Sequence, residues 1–278
     1  MSKVWLITGS SRGLGRAIAD AVLKSGDRLI ATARQVDTLN KLVQTYGDQV
    51  VPLTLDVGDS DAAQRAVAFA VEHFGSIDVL VNNAGYGTIS SLEDMEIADF
   101  RAQIETNLLG TVYTTKAAIP FMRKQGRGHI IQFSSVGGRI GALGRTSYSA
   151  AKWGVEGFSE ALAKEVAPLG INVTIVEPGG FRTDFAAEPI AAIQAAYEST
   201  IGVAARFQSD YHGKQPGDPM LAAKAVIEIA SMDQPPLRLP LGSDAVKAIE
   251  QSDRERLTAI ENWRYLSVST DYSIEERK

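Results

Sequence analysis

The stretch Val4-Trp5-Leu6-Ile7-Thr8-Gly9-Ser10-Ser11-Arg12-Gly13-Leu14-Gly15 decides the fold of this chain. Its four leading apolar residues read as a buried strand. The glycines that follow let the chain turn sharply and bring backbone N–H groups close to a pyrophosphate. Leu14, Ile18 and Val22 then share one face of a helix over Leu14–Ser25, which Gly26 can close. The positive end of that helix faces the loop and favours an anion. The spacing is G-x-x-x-G-x-G, not the G-x-G-x-x-G of the familiar dinucleotide fingerprint. A plain turn has the same composition. The position between a strand and a helix is what makes Gly9, Ser11, Arg12, Gly13, Leu14 and Gly15 a candidate phosphate loop.

Downstream, strand-like and helix-like segments alternate. Val4–Thr8, Leu29–Ala33, Val50–Leu55, Val79–Asn82, His129–Ser134 and Val173–Glu177 read as buried parallel strands, and Leu237–Leu241 as a short last one. Ser60–Phe74 carries Ala63, Val67, Ala70 and Val71 at helical spacing. Repeated strand–helix–strand units predict a doubly wound, Rossmann-like α/β fold with helices on both faces of a parallel sheet. No repeat or linker interrupts the pattern, so residues 1–278 read as a single domain. The alanine-rich segment 184–219 breaks the alternation and reads as a helical cover over a site. The polar tail 271–278 reads as frayed.

Composition sets outer bounds. The 278 residues are 45 % apolar and 22 % charged, as in an ordinary globular chain, and contain no cysteine. Cysteine nucleophiles, disulfides and Cys-ligated zinc are therefore excluded. A net charge of −5 without a basic block argues against nucleic acid as a partner. No window approaches the ~18 apolar residues of a membrane span, so no membrane is expected and a cytoplasmic location is the default. The first apolar run is too short for a signal peptide. His73, His129 and His212 lack metal-ligand spacing, and no metal is expected.

Four blocks together resemble the short-chain dehydrogenase/reductases, in their single-domain branch. They are the glycine loop; Asn82-Asn83-Ala84-Gly85 at the end of the fourth strand; Ser135, Tyr148 and Lys152 with Asn107 upstream; and Pro178-Gly179 with Thr183. The resemblance covers about residues 3–185. It implies hydride transfer between a nicotinamide and a carbonyl or alcohol carbon of a small-molecule substrate. It also implies assembly as a homodimer or homotetramer. In relatives the residue matching Asn107 holds a water that links the lysine to solvent. Asn83, Ala84 and Gly85 would floor the cofactor, and Thr183 would contact its carboxamide. Asp56, beside Val57, would meet the adenine, although an Asp turn is the ordinary reading there. Pro178, Gly179 and Phe181 complete this edge. Phe181 stands where relatives more often have a branched aliphatic residue.

The catalytic pattern has its own chemistry. Chance supplies about 0.3 Tyr-x3-Lys pairs in a chain of this composition, so Tyr148 and Lys152 alone decide little. Four residues of helix rise ~6 Å and return to one face, so both can point into one cleft. A phenol with a pKa of about 10 is a poor acid–base group near neutrality. An ammonium ~4 Å away at an effective dielectric of ~20 contributes about 4 kcal/mol in favour of phenolate, up to roughly three pKa units. Tyr148 is thus the expected general acid and Lys152 the tuning and ribose-binding group. Ser135, at the carboxyl edge of its strand, would hydrogen-bond the substrate oxygen. The family match selects Ser135 over Ser134. Asn107 is a poor helix-interior residue, and a kink or helix end is its bland reading.

Cofactor choice turns on the second strand. The acidic residue that grips the ribose 2′-OH in NAD sites is replaced by Ala33, with Arg34 next. Arg12 and Arg34 would grip a 2′-phosphate, which favours NADP(H) over two solvated surface charges. Asp37, the acidic competitor, reads as a helix N-cap. Glu93, Asp94, Glu96 and Asp99 read as a solvated helix start, and Trp5, Trp153 and Trp263 as packing residues; Arg139 and Arg145, between Ser135 and Tyr148, are placed to meet an anionic substrate but read in the first instance as solvent-facing loop residues. A pocket of Gly137, Arg139, Leu143, Gly179 and the 184–213 cover is expected. Phe185, Ile190, Ile193, Tyr197 and Phe207 there favour a partly apolar substrate. A catalytically silent, NADP(H)-sensing module is the alternative function. A related epimerase or dehydratase would have a larger substrate domain and another glycine spacing.

Overall fold

The computed structural model of the chain describes residues 2–187 and 190–272. Seven strands form one all-parallel sheet: β1 (Val4–Ile7), β2 (Arg28–Ala33), β3 (Val50–Thr54), β4 (Val79–Asn82), β5 (Gly128–Phe133), β6 (Ile171–Pro178) and β7 (Arg238–Leu241). Their order is β3-β2-β1-β4-β5-β6-β7, so the winding reverses between β1 and β4. Ligands bind at such a switch point, outside the carboxyl ends of the strands. The Rossmann-like α/β expectation holds, and each predicted strand lies within two residues of the observed one.

The strands are near-continuous apolar runs because both faces are covered. Alternation splits β1: Trp5 and Ile7 face one layer and Leu6 the other. The first layer holds α1 (Gly13–Lys24) and α8 (Pro219–Ile229), which present Ile18, Val22, Val226 and Ile229. The second layer holds α3 (Ser60–Phe74), α5 (Gly110–Gln125) and α6 (Thr146–Val166), with Val67, Ala118, Met122 and Leu162. A short α2 (Asn40–Tyr46) leads into β3, and α4 (Ile97–Ile104) precedes α5. The 26-residue α9 (Ser243–Val268) follows β7 and is buried at Ala245 and Ile249.

Two local expectations fail. Asp37 caps no helix. It lies inside a 3-10 turn, Val36–Leu39, whose N-cap is Gln35. Trp5 is buried and donates its indole N–H to Asp27 at 2.9 Å, but Trp263 is exposed and Trp153 partly so. The segment 184–219 holds 3-10 turns at Asp184–Ala187 and Ala195–Tyr197, a π turn at Glu198–Gly202 and α7 (Val203–Tyr211). Residues 188–189 of that segment and residues 273–278 of the expected frayed tail lie outside the described residues. Among the described residues no helix is long and apolar enough to cross a membrane, and no cluster suited to a metal ion occurs.

Candidate active site

The loop between β1 and α1 is shaped by its glycines. Gly9 and Gly13 adopt φ of +69° and +59°, the left-handed region that L side chains rarely adopt. The N-cap residue of α1, Arg12, makes no side-chain cap hydrogen bond among the described residues, and the first turn holds no acidic residue. The helix-start N–H groups are therefore left for an external anion. Gly15 lies beneath the loop, not on the cleft wall. A Cβ there would sit 2.3 Å from both Asn83 Nδ2 and the Gly9 carbonyl oxygen. Asn83 donates from Nδ2 to the carbonyls of Thr8 and Gly9 at 3.0 and 3.1 Å, which ties the end of β4 to this loop.

A cleft of about 650 Å³ opens above these strand ends. Gly9, Ser11, Arg12, Gly13 and Leu14 line one end, with Ala33 and Arg34 from β2 and Asp56 and Val57 after β3. Arg12 and Arg34 are exposed at that end. Asp56 accepts the Gly58 N–H at 3.0 Å, so it forms an ordinary Asp turn while also lining the cleft. Asn83, Ala84 and Gly85 line the floor; Pro178, Gly179, Phe181 and Thr183 line the edge beyond β6. Thr183 stands close to Gly13, where a Cβ would lie 3.6 Å from the threonine Cβ. Phe181 packs its ring against the core layer of α1 and α8.

The middle of the cleft holds Asn107, Ser135, Tyr148 and Lys152. The Tyr148 ring is wedged between two glycines. A Cβ on Gly87 would lie 3.0 Å from Tyr148 Cδ2, and one on Gly137 would lie 3.1 Å from Tyr148 Cε1 and 3.5 Å from Ser135 Oγ. The Tyr148 ring and the Ser135 hydroxyl oxygen thus both lie beside Gly137. Ser135 Oγ accepts the Gly137 N–H at 3.0 Å, which fixes the oxygen and leaves its proton for a ligand. Ser134 points away, its Oγ buried beneath Gly138, as strand alternation requires.

Lys152 is 4 % exposed and donates from Nζ to the Phe133 carbonyl at 2.7 Å. Its Nζ lies 5.8 Å from the Tyr148 ring centroid. Burial pulls its pKa down from 10.5 to about 8, and Glu156 works in the opposite direction. The side chain remains a cation at pH 7. Asn107 sits in a π turn, Glu105–Leu109, that joins α4 to α5. Its Oδ1 accepts the Tyr86 N–H at 3.0 Å, and its Nδ2 donates to the carbonyls of Tyr86 and Gln103, both at 2.9 Å. The amide therefore docks the Gly85–Tyr86 segment against the lysine.

Other expectations require correction. Arg139 and Arg145 are not solvent-facing. Arg139 pairs with Glu177 at 2.9 Å and Asp253 at 2.8 Å, below the cleft rather than in it. Arg145 lines the cleft, lies over the rings of Tyr148 and Phe185, and donates to Gln208. Gly137 backs Tyr148 instead of lining the cavity. The acidic cluster is only partly solvated: Glu93 accepts from Tyr197 at 2.8 Å and Asp94 from Gln194, which anchors the 184–219 segment. From that segment Phe185 and Phe207 reach the cleft, with Phe185 5.7 Å from the Tyr148 ring. Sequence reasoning missed Gly87, for which Gly85-x-Gly87 was the available signal, and the Phe133 carbonyl, for which there was none.

The loop, the floor and the Tyr148–Lys152 pair fit a nicotinamide dinucleotide: the glycine turn leaves a cradle that Cβ atoms would fill, and uncapped N–H groups meet its charge. Known proteins agree with this geometry. A family model described as short chain dehydrogenase matches residues 3–193. An oxidoreductase of Botryotinia fuckeliana, Oxidoreductase BOA17, is 45 % identical over 273 residues, covering 97 % of this chain and all of the relative. The crystal structure of a short-chain dehydrogenase from Streptomyces avermitilis is 38 % identical, has a TM-score of 0.91, and covers 98 % of this chain and 100 % of its own. A metagenomic short-chain oxidoreductase in complex with NADP is 29 % identical with a TM-score of 0.69, covering 87 % and 97 %. With its sheet order, its glycine loop and these matches, this chain belongs to the short-chain dehydrogenase family.

Proposed function

We propose that the protein is an NADP(H)-dependent oxidoreductase that interconverts a carbonyl and an alcohol, with Tyr148 as general acid/base. The observation that carries this reading is the meeting of Tyr148, Ser135 and Lys152 in the cleft that begins at the glycine loop. When bound, the dinucleotide supplies the hydride acceptor or donor. The chain's own residues do the rest. The Ser135 hydroxyl orients the substrate oxygen, and the Tyr148 hydroxyl gives that oxygen a proton or takes one from it. Lys152 holds positive charge beside the phenol and would donate to the ribose of a bound dinucleotide. Asn107 keeps the Gly85–Tyr86 wall in place, and a water linking Lys152 to solvent belongs to its role. Burial of Tyr148 to 7 % exposure keeps bulk water from competing.

Preference for NADP(H) is supported by Ala33 at the position of the usual acidic residue, by Arg12 and Arg34 at that end, and by the NADP-bound state of the metagenomic neighbour. The segment 184–219 is the substrate cover of a single domain. The protein is read as a cytoplasmic homodimer or homotetramer, which light scattering tests. Wild-type turnover with NADPH and a carbonyl panel comes first. Tyr148→Phe should then bind NADPH normally and lose about 10²–10⁴-fold in rate. Absence of turnover in the wild type with intact NADPH binding establishes the silent sensor instead. Replacing Arg12 and Arg34 with alanine should cost about tenfold or more in kcat/KM for NADPH and leave NADH unchanged. A strong NADH preference in the wild type refutes the cofactor assignment.

A further inference from the structure

Lys152 poses an electrostatic problem. Its ammonium is buried and the acceptor it reaches, the Phe133 carbonyl, is neutral. A buried cation with only a neutral acceptor is driven to release its proton. One helical turn further along α6 stands Glu156, 5 % exposed and on the same face. Its Oε2 accepts from Arg238 Nε at 3.1 Å, and its Oε1 is buried with no hydrogen-bond donor. The turn after β5 seals this place. A Cβ on Gly138 would lie 2.3 Å from Ser134 Oγ, 3.0 Å from the Lys152 carbonyl oxygen and 3.2 Å from Glu156 Cγ. Only glycine lets that turn close over the Lys152–Glu156 step, and closure keeps the local dielectric low.

The surrounding charges leave a role for this carboxylate. Glu177 of β6, 0 % exposed, and Asp253 of α9 take Arg139; Glu160 of α6 and Glu156 take Arg238 of β7. Arg238 also reaches Glu177 at 3.5 Å. At the outer edge Lys164 also takes Glu160 at 3.2 Å and Arg256 takes Asp253 at 3.5 Å, so the two buried carboxylates, Glu156 and Glu177, are left with Arg139 and Arg238; burial, reinforced by Glu156, raises the pKa of Glu177. On the opposite side Glu105 is bonded to Tyr113 at 2.9 Å. Lys152 is the buried cation one turn from Glu156, whose Oε1 finds no donor among the described residues.

We propose that Glu156 is a positioning residue: its buried carboxylate is the counter-charge that holds Lys152 as an ammonium beneath Tyr148. The inference rests on the reading of Lys152 given above. The test compares urea unfolding of the wild type, Glu156→Gln, Lys152→Met and the double variant from pH 6 to 10.5, all without cofactor. The pH window in which Lys152 contributes to stability should begin about one unit lower in the Glu156→Gln background. The alkaline limb of kcat/KM should move down by a similar amount, and Glu156→Asp should restore most of it. Arg238→Gln removes the guanidinium that competes for Glu156, so it should move the same limb upward. This second variant decides the matter if Glu156→Gln fails to fold. An unchanged window in Glu156→Gln, or a downward or absent shift in Arg238→Gln, overturns the proposal. If Tyr148→Phe keeps its turnover, the catalytic reading fails as well; if it loses turnover while the window stays fixed, only Glu156 is at fault.

Discussion

Replacing Lys152 with methionine should stabilise the folded protein near neutrality while abolishing its chemistry. The folded state holds this lysine at a pKa of about 8 against 10.5 for the ordinary side chain. The folded protein therefore binds fewer protons than the unfolded chain between those values, and wild-type stability rises with pH across that window. At 1.36 kcal/mol per unit, the buried charge costs about 3 kcal/mol at pH 7, and that cost is gone by about pH 10.5. Methionine has a similar length and carries no charge, but it leaves the Phe133 carbonyl without the Nζ donor, a loss of about 1–3 kcal/mol. The absolute gain is therefore small. The pH dependence of the difference is not, because the carbonyl term is constant. Urea unfolding at pH 7 and pH 10.5 should show the advantage of Lys152→Met over wild type falling by about 3 kcal/mol. A difference that stays flat over that range refutes the argument that Lys152 is a strained, desolvated cation.

Other perturbations have definite outcomes. Gly15→Ala forces a Cβ to within 2.3 Å of Asn83 Nδ2 and the Gly9 carbonyl oxygen, so it should cost about 1–3 kcal/mol by thermal unfolding and weaken NADPH binding measured by fluorescence. Asn107→Ala strips partners from the Tyr86 N–H and carbonyl; a loss of about 2–4 kcal/mol should accompany a fall in kcat, and an unchanged Tm would show that the docking bonds are dispensable. His129, buried against Thr174 at 2.9 Å, is held by burial at a pKa of about 4, so about 3 kcal/mol of stability is present above pH 6.5 and disappears as pH falls through 4. His129→Gln should flatten that acid limb in denaturant titrations.

The strands were legible because a sheet covered on both faces demands largely apolar runs; β1 is apolar and buried throughout, and the buried polar residues set into β5 and β6, His129, Gln132, Thr174 and Glu177, are too few to break the pattern. The phosphate loop was legible because left-handed backbone at Gly9 and Gly13 leaves glycine as the natural choice. Side-chain partners across the chain were not. Asp37 offers a plausible cap in sequence, yet Gln35 begins the turn, because a 3-10 start places the cap two residues earlier. Arg139 looked solvated because its partners, Glu177 and Asp253, lie 38 and 114 residues away. The π turn at Asn107 leaves no periodicity signal, since a single extra residue shifts the pattern only locally.

Every group implicated in chemistry stands at the carboxyl rim of the sheet, so the far rim is chemically silent. There the chain reverses at Gly26, Gly75 and Gly126, and added atoms at those positions meet nothing within 4 Å. Those glycines hold left-handed backbone at φ of +85°, +84° and +67°, so a dye, an affinity handle or a surface tether belongs on their exposed helical neighbours, Glu72 or Lys124, where it would leave the mouth of the enzyme unobstructed. An immobilised preparation built this way keeps a uniform outward orientation, with the sheet itself as the spacer.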